Sequence, residues 1–215
     1  GIRSLEFIPV GVEYYLDVNN VPESAYWEWR PVGIHMESGE DFEFNVLRNF
    51  DRLNDDFDIY EGITIPQGRY YFTHFELQAA TSASRTLSGE AYYGWGDFYT
   101  GTRAVWSMYA TVKTGPHLSF SGDYSRNDIR LAGGAFVTHE VGGRIRYSFS
   151  TMLDASLFGQ WNNEDQTINL NCRLHWIPEI GSDIYVVYNH LFDAAGRLST
   201  SRSTILAKAA YRFVL

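Results

Sequence analysis

"QTINLNCRLHWIPEIGSDIYVVYNH", Gln166 to His190, carries two interleaved rows. Ile168, Leu170, Cys172, Leu174 and Trp176 are apolar, and Thr167, Asn169, Asn171, Arg173 and His175 are the polar residues between them. A period of two marks a β-strand, whose successive side chains stand on opposite faces of a sheet. "PEIGS" then turns the chain and a second strand follows over residues 182–190. Which row meets water decides the protein class. A soluble sandwich buries its apolar row in a core, whereas a membrane barrel turns that row outward to lipid.

The same pattern recurs along the chain. Residues 5–17, 24–37, 41–51, 69–81, 85–97, 102–114, 116–127, 136–149, 152–162, 166–177, 182–190 and 202–215 read as twelve strands, with no helical period. Over 136–149, Val137, Val141, Ile145, Tyr147 and Phe149 share one face, against Thr138, Glu140, Arg144, Arg146 and Ser148. Over 102–114, Ala104, Trp106, Met108, Ala110 and Val112 oppose Arg103, Ser107, Thr111 and Lys113. No repeat of 20–50 residues and no low-complexity linker interrupts the series, so residues 1–215 read as a single β domain, or as the C-terminal portion of one.

Composition narrows the classes. The 215 residues are 45% hydrophobic, 16% aromatic and 20% charged. No run reaches the roughly 18 apolar residues of a membrane-spanning helix, but a spanning β-strand needs only about 9–11 alternating ones. "GIRSLEF" lacks the basic start and apolar stretch of a signal peptide, so the expectation is a mature form or a piece of a longer chain. Cys172 stands alone and permits no internal disulfide. The net charge of −9, without a basic stripe, weighs against nucleic acid as a partner.

The connections sharpen the expectation. Those after the second, fourth, sixth, eighth and tenth strands read as short. Those after the third, seventh and eleventh read as long: "DRLNDDFDIYEGITIPQG", "DIRLAGGA" and "LFDAAGRLSTS". Alternating short turns and longer loops suit an antiparallel up-and-down barrel of the bacterial outer membrane. In "KAAYRFVL", Tyr211, Phe213 and Leu215 form an amphipathic final strand of the kind that outer-membrane assembly machinery recognises, although the usual closing residue is aromatic. Trp27, Trp29, Tyr70, Tyr92, Trp95, Trp161 and Trp176 sit near strand ends, where amphipathic rings suit a membrane interface.

The polar rows then become lumen candidates. Glu76, Glu90, Arg103, Asp123, Glu140, Arg144, Arg146, Asp154, Asn171, Arg173 and His175 are the expected lining residues. Arg103, Arg144, Arg146 and Arg173 are expected to meet Glu90, Asp123, Glu140 and Asp154, because a partly dehydrated charge needs a partner. Ala110, Ile145, Leu157, Leu170 and Leu174 are expected to face hydrocarbon. Twelve is an even strand count, so closure within the chain is permitted. Pro9 interrupts the first strand, and completion by further strands or another chain stays open.

"TIPQGRYYFTHFEL" (64–77), "LSGEAYYGWGDFYTGTR" (87–103), "DIRLAGGAFVTHEVGGRIRYSFS" (128–150) and "FGQWNNEDQTINLNCRLHWIPEIGSDIYVVYNH" (158–190) together resemble the C-terminal region of a family of bacterial outer-membrane proteins. In that family an N-terminal domain similar to family-9 carbohydrate-binding modules precedes a long β-barrel region of unassigned function. The resemblance covers about residue 40 to the C-terminus. It implies an outer-membrane barrel, no assigned active site to carry over, and an upstream domain as a possible companion. Family members are much longer, which makes these strands candidates for the last twelve of a wider barrel, beside closure within the chain itself.

Chemistry outside the barrel reading is thin. His35, His74, His117, His139, His175 and His190 lack a Gly-x-Ser-x-Gly elbow or a His-Glu-x-x-His helix around them. His175 reads as a hydrogen-bonded lining residue, as does His74 beside Glu76. Asp55, Asp56, Asp58 and Glu61 crowd carboxylates into one loop, which is a weak Ca²⁺ candidate without EF-hand spacing. No cofactor is expected. The leading expectation is a non-enzymatic outer-membrane barrel that serves as channel, transporter or anchor for a surface or periplasmic domain, with the outer-membrane bilayer as its first partner. The alternatives are an outer-membrane hydrolase with a rim active site and a soluble lipocalin-like binding barrel.

Overall fold

The computed structural model describes residues 1–212, and every regular element among them is a β-strand. Twelve long strands form one antiparallel sheet: β1 (Ile2–Leu16), β2 (Pro22–Met36), β3 (Asp41–Leu53), β6 (Gly68–Ala80), β7 (Leu87–Phe98), β8 (Gly101–Lys113), β9 (Leu118–Leu131), β10 (Gly134–Ser148), β11 (Leu153–Asn162), β12 (Thr167–Trp176), β13 (Asp183–Asp193) and β14 (Ser199–Ala210). Neighbours in the sheet are neighbours in the chain, so the topology is up-and-down throughout. Between β3 and β6 the chain makes a separate hairpin of β4 (Phe57–Tyr60) and β5 (Ile63–Ile65). Contacts group the residues into two compact units. The first comprises 1–83, 89–108 and 125–138, and the second 84–88, 109–124 and 139–215.

Two sequence expectations need correction. The sorting of short and long connections does not hold. Ala132 and Gly133 alone join β9 to β10, because Asp128 to Leu131 continue a strand rather than opening a loop. Their charges are strand side chains: Asp128 lies 3.5 Å from Arg126 and 3.2 Å from Arg130, all three on one face by alternation. The connection after β3 is the long one, and it is folded. Gly62, at φ +73, makes the turn between Tyr60 and Ile63 that the acidic composition disguised.

The sheet is open. β1 and β14 are its end strands, and no ladder joins them among the described residues. Pro9 and Pro31 sit where the β1–β2 ladder shifts register. Each lacks an N–H, so a bulge costs little there. Of the expected C-terminal signal, Phe213 and Leu215 lie outside the described residues.

Little apolar surface is buried. Among the described residues the buried apolar side chains are Ala25, Leu47, Phe50, Ile63, Ile65, Phe72 and Ile129, all in the first unit. The long apolar rows are not among them. In the second unit Ile145 is 42% exposed, Leu157 39% and Leu174 42%, on paired strands with no element packed over them. In the first unit Val32, Phe42, Leu77, Tyr93 and Met108 are likewise exposed. Phe44, Phe75, Tyr93 and Trp95 stack along that same face at centroid distances of 5.1–6.4 Å.

Candidate functional site

Register alone builds the opposite face. In the first unit Asp41, Ala80 and Glu90 stand in one cross-strand row, then Glu43, Gln78 and Tyr92, then Asn45, Glu76 and Gly94. Directly opposed residues share a face, so β3, β6 and β7 present polar groups together. The bulge between Trp29 and Val32 adds Arg30 to the same face. Arg30 becomes the hub of the unit. Its guanidinium lies 3.1 Å from Glu6, 3.0 Å from Glu28 and 3.1 Å from Glu43, and its Nε donates to Asn45 Oδ1 at 2.7 Å. The Arg30 side chain is 16% exposed and that of Glu28 19%, while Asn45 is buried. His35 extends the cluster, with ring nitrogens 2.6 Å from Asp41 and 3.2 Å from Glu6.

A second cluster lies deeper along β3, β6 and β7. Glu76 accepts from Tyr92 Oη at 2.8 Å and faces His74 Nε2 at 3.3 Å, while His74 Nδ1 meets Asn49 at 3.0 Å. Arg103, from β8, directs Nε and Nη2 onto Asn127 Oδ1 at 3.0 and 2.6 Å and lies 5.4 Å over the Phe98 ring. Asn127 in turn donates to Thr138 at 3.2 Å. Asn49, Phe72, His74, Glu76, Tyr92 and Arg103 line a cleft of about 260 Å³.

The second unit is built the same way from fewer partners. Ser148, Asp154, His175 and Tyr185 share one cross-strand row. His175 lies between two carboxylates, 3.1 Å from Asp154 and 2.8 Å from Asp183, and stacks on Tyr185 at 4.2 Å. Asn171 donates to Asn189 at 2.5 Å. Arg144 lies over Phe158 and Arg173 over Tyr185, each at 4.7 Å.

These contacts revise the expected pairings. Arg103, Arg144 and Arg173 do not meet Glu90, Asp123, Glu140 or Asp154. Each finds an amide or an aromatic face closer to hand, since the opposed residue across the ladder is Phe158 for Arg144 and Val187 for Arg173. Asp154 pairs with His175 instead, and the Asp123 carboxylate lies against Gly142. Glu90, Glu140 and Arg146 remain exposed on the polar face, with no ion pair among the described residues. Arg30, the strongest hub, was visible in the sequence only as one more polar-row residue. The signal that would have raised it is Pro31, which favours a bulge immediately after it.

The Ca²⁺ loop also reads differently in three dimensions. Asp56 Oδ1 accepts from the Gln67 amide at 2.8 Å and Asp58 Oδ1 from Thr64 Oγ1 at 2.5 Å, so two of the four carboxylates brace the β4–β5 hairpin. No group of His, Cys, Asp and Glu among the described residues has a metal-holding arrangement.

The connections carry two perturbed groups. Asp17, in the turn from β1 to β2, accepts from the amides of Val21 and Asn19 and from Arg52 at 2.6 Å, and the Val21 and Arg52 bonds hold its carboxyl below the usual 3.8. Burial, with the Asp51 carboxylate 3.0 Å away, pushes the Tyr99 phenol up to about 12. A depressed carboxyl stabilises the fold above its unfolded pKa and loses that contribution as pH falls through the folded value. The β1–β2 turn of the parent should therefore become more sensitive to protease as pH drops below about 4. An Asp17→Asn variant, already lacking the charge, should show less of this pH dependence. No family model, no curated protein and no solved structure matches this chain.

Proposed function

We propose that this chain forms a non-enzymatic β-barrel of the bacterial outer membrane, or a large part of one, and acts as a channel whose polar face lines a hydrated path. The observation that carries the reading is the exposed apolar face. A soluble protein rarely leaves a contiguous apolar patch beyond a few hundred Å² uncovered, and here the outward rows of β10, β11 and β12 have no covering layer. One row also ends as a bilayer would require. On β9 the outward positions run Leu118, Phe120, Gly122 and Tyr124, then turn charged at Arg126, Asp128 and Arg130. On β3 the corresponding row is apolar at Phe42, Phe44 and Val46, is interrupted by Arg48, which donates to Thr73 at 2.8 Å, and resumes at Phe50, which is buried against Tyr71.

The channel role, rather than a passive anchor, is supported by Glu90, Glu140 and Arg146. A charge without a protein partner needs water, and these three stand on the polar face. A lipocalin-like barrel would require the reverse arrangement, with the apolar row turned to an enclosed ligand. Barrel closure and the resemblance to long outer-membrane barrels are part of the same proposal, since an open edge does not persist in hydrocarbon. The test is reconstitution. The purified chain should float with liposomes, resist alkaline extraction and make them permeable to small ions. A chain that stays soluble and monomeric without detergent would end the proposal.

A further inference from the structure

We propose that the β4–β5 hairpin is a docked plug that controls the solute path along the polar face of the first unit. The proposal rests on the channel reading and adds a moving part to it. The hairpin leaves the sheet between β3 and β6 but packs on β10, which lies beyond β7, β8 and β9 in the strand order. That is roughly 20 Å of sheet at the usual strand spacing. The hairpin therefore reaches over the ends of the intervening strands. Tyr60 stacks on Phe136 of β10 with ring centroids 4.2 Å apart and planes 10° from parallel. Phe136 shares its face with Thr138 and Glu140 by alternation, so the hairpin covers the polar face and not the apolar one.

Glycine makes the seat. A Cβ on Gly134 would stand 3.0 Å from Ile63 Cδ1, and one on Gly133 3.7 Å from Ile63 Cγ2. Gly134 also holds φ +151, which other residues rarely adopt. Ile63 is buried and Ile65 fully so. Leu47, Phe72 and Ile129, which alternation places on the polar face of the first unit, are buried too.

The attachment is limited, which suits a gate. An isolated two-stranded hairpin is only marginally stable, and this one is braced internally by Asp56, Asp58 and Thr64 rather than tied to the sheet by a ladder. Against β10 it is held by the Tyr60–Phe136 stack and by Ile63 on Gly133 and Gly134, and at its exit Tyr70 donates to the Pro66 carbonyl at 2.5 Å. The opposite side of the hairpin is exposed and carries Asp55, Asp56, Asp58 and Glu61. A population with the plug undocked is therefore accessible, and any solute that competes for the seat shifts it.

The experiment compares three forms of the full chain in liposomes: the parent, a form with residues 57–65 replaced by a Gly-Ser linker, and a Tyr60→Ser/Ile63→Ser form. Flotation is read first, then entry of glucose and of maltose as neutral probes. Both variants should float like the parent and admit the probes about tenfold faster, the effect of losing the stack and one buried isoleucine. If the linker form fails to fold, the double substitution decides alone. Equal floating with unchanged entry overturns the plug and leaves the channel reading standing. If no form floats, or none admits either probe, the channel reading fails and the plug with it.

Discussion

Leu157→Arg is expected to destabilise the protein in a bilayer by roughly 2–4 kcal/mol, the cost of a guanidinium near the membrane midplane on a lipid-facing strand. Leu157 is the middle of the apolar row Leu153, Ala155, Leu157, Gly159 and Trp161 on β11, opposite Cys172 of β12. Gln160→Arg, one strand face away, should cost little because its neighbours across the ladder are Gly142 and Asn169. Equilibrium unfolding in vesicles measures both. If Leu157 instead met bulk water, Arg there would shift stability by no more than about 0.5 kcal/mol, as surface substitutions do. Equal, small effects for the two variants would contradict the orientation of the sheet.

The second large effect is expected at Arg30. Replacing it with methionine keeps the apolar stem but leaves Glu6, Glu28 and Glu43 facing one another around a half-shielded site. Removing one partner from a buried ionic network costs roughly 3 kcal/mol, less where water can enter. Adding Glu43→Gln to Arg30→Met should recover part of the loss, because the two positions are coupled through one network. Thermal unfolding of the parent, both single variants and the double variant gives the coupling directly. A loss under about 1 kcal/mol for Arg30→Met would mean that the cluster is held by solvent rather than by the arginine.

The strands were legible because period two is a local signal. Leu153–Asn162 and Thr167–Trp176 fall within a residue of the positions the alternation indicated. It failed where polarity and strand structure part company. Asp128 and Arg130 read as loop, yet a strand carries charges as readily as leucines once its apolar row has ended. The hairpin was missed for a related reason. Phe57, Ile59, Ile63 and Ile65 alternate around Gly62, but four carboxylates in the same stretch suggested a solvated loop.

The polar face was legible by residue type and not by partner. Alternation placed Arg103, Arg144, Arg173 and His175 on it, and the ladder register sets Arg144 opposite Phe158, Arg173 opposite Ser156 and Val187, and His175 opposite Asp154 and Tyr185. Partners depend on register and on bulges, and a bulge changes which side chains converge without changing the sequence pattern much. Arg30 is the instance: a one-residue bulge at Pro31 gathers three carboxylates from β1, β2 and β3 around one guanidinium.

The central claim is the direction in which the apolar row points, and β12 tests it most directly. Spin labels placed singly from Thr167 to Trp176, in a Cys172→Ser background for every position but 172, report collisions with oxygen, which concentrates in hydrocarbon, and with a water-soluble nickel chelate. The membrane reading predicts oxygen maxima at Ile168, Leu170, Cys172, Leu174 and Trp176 and nickel maxima at Asn169, Asn171 and Arg173, in strict alternation. Oxygen maxima on the Asn169–Arg173 row, or no alternation at all in reconstituted vesicles, would contradict it.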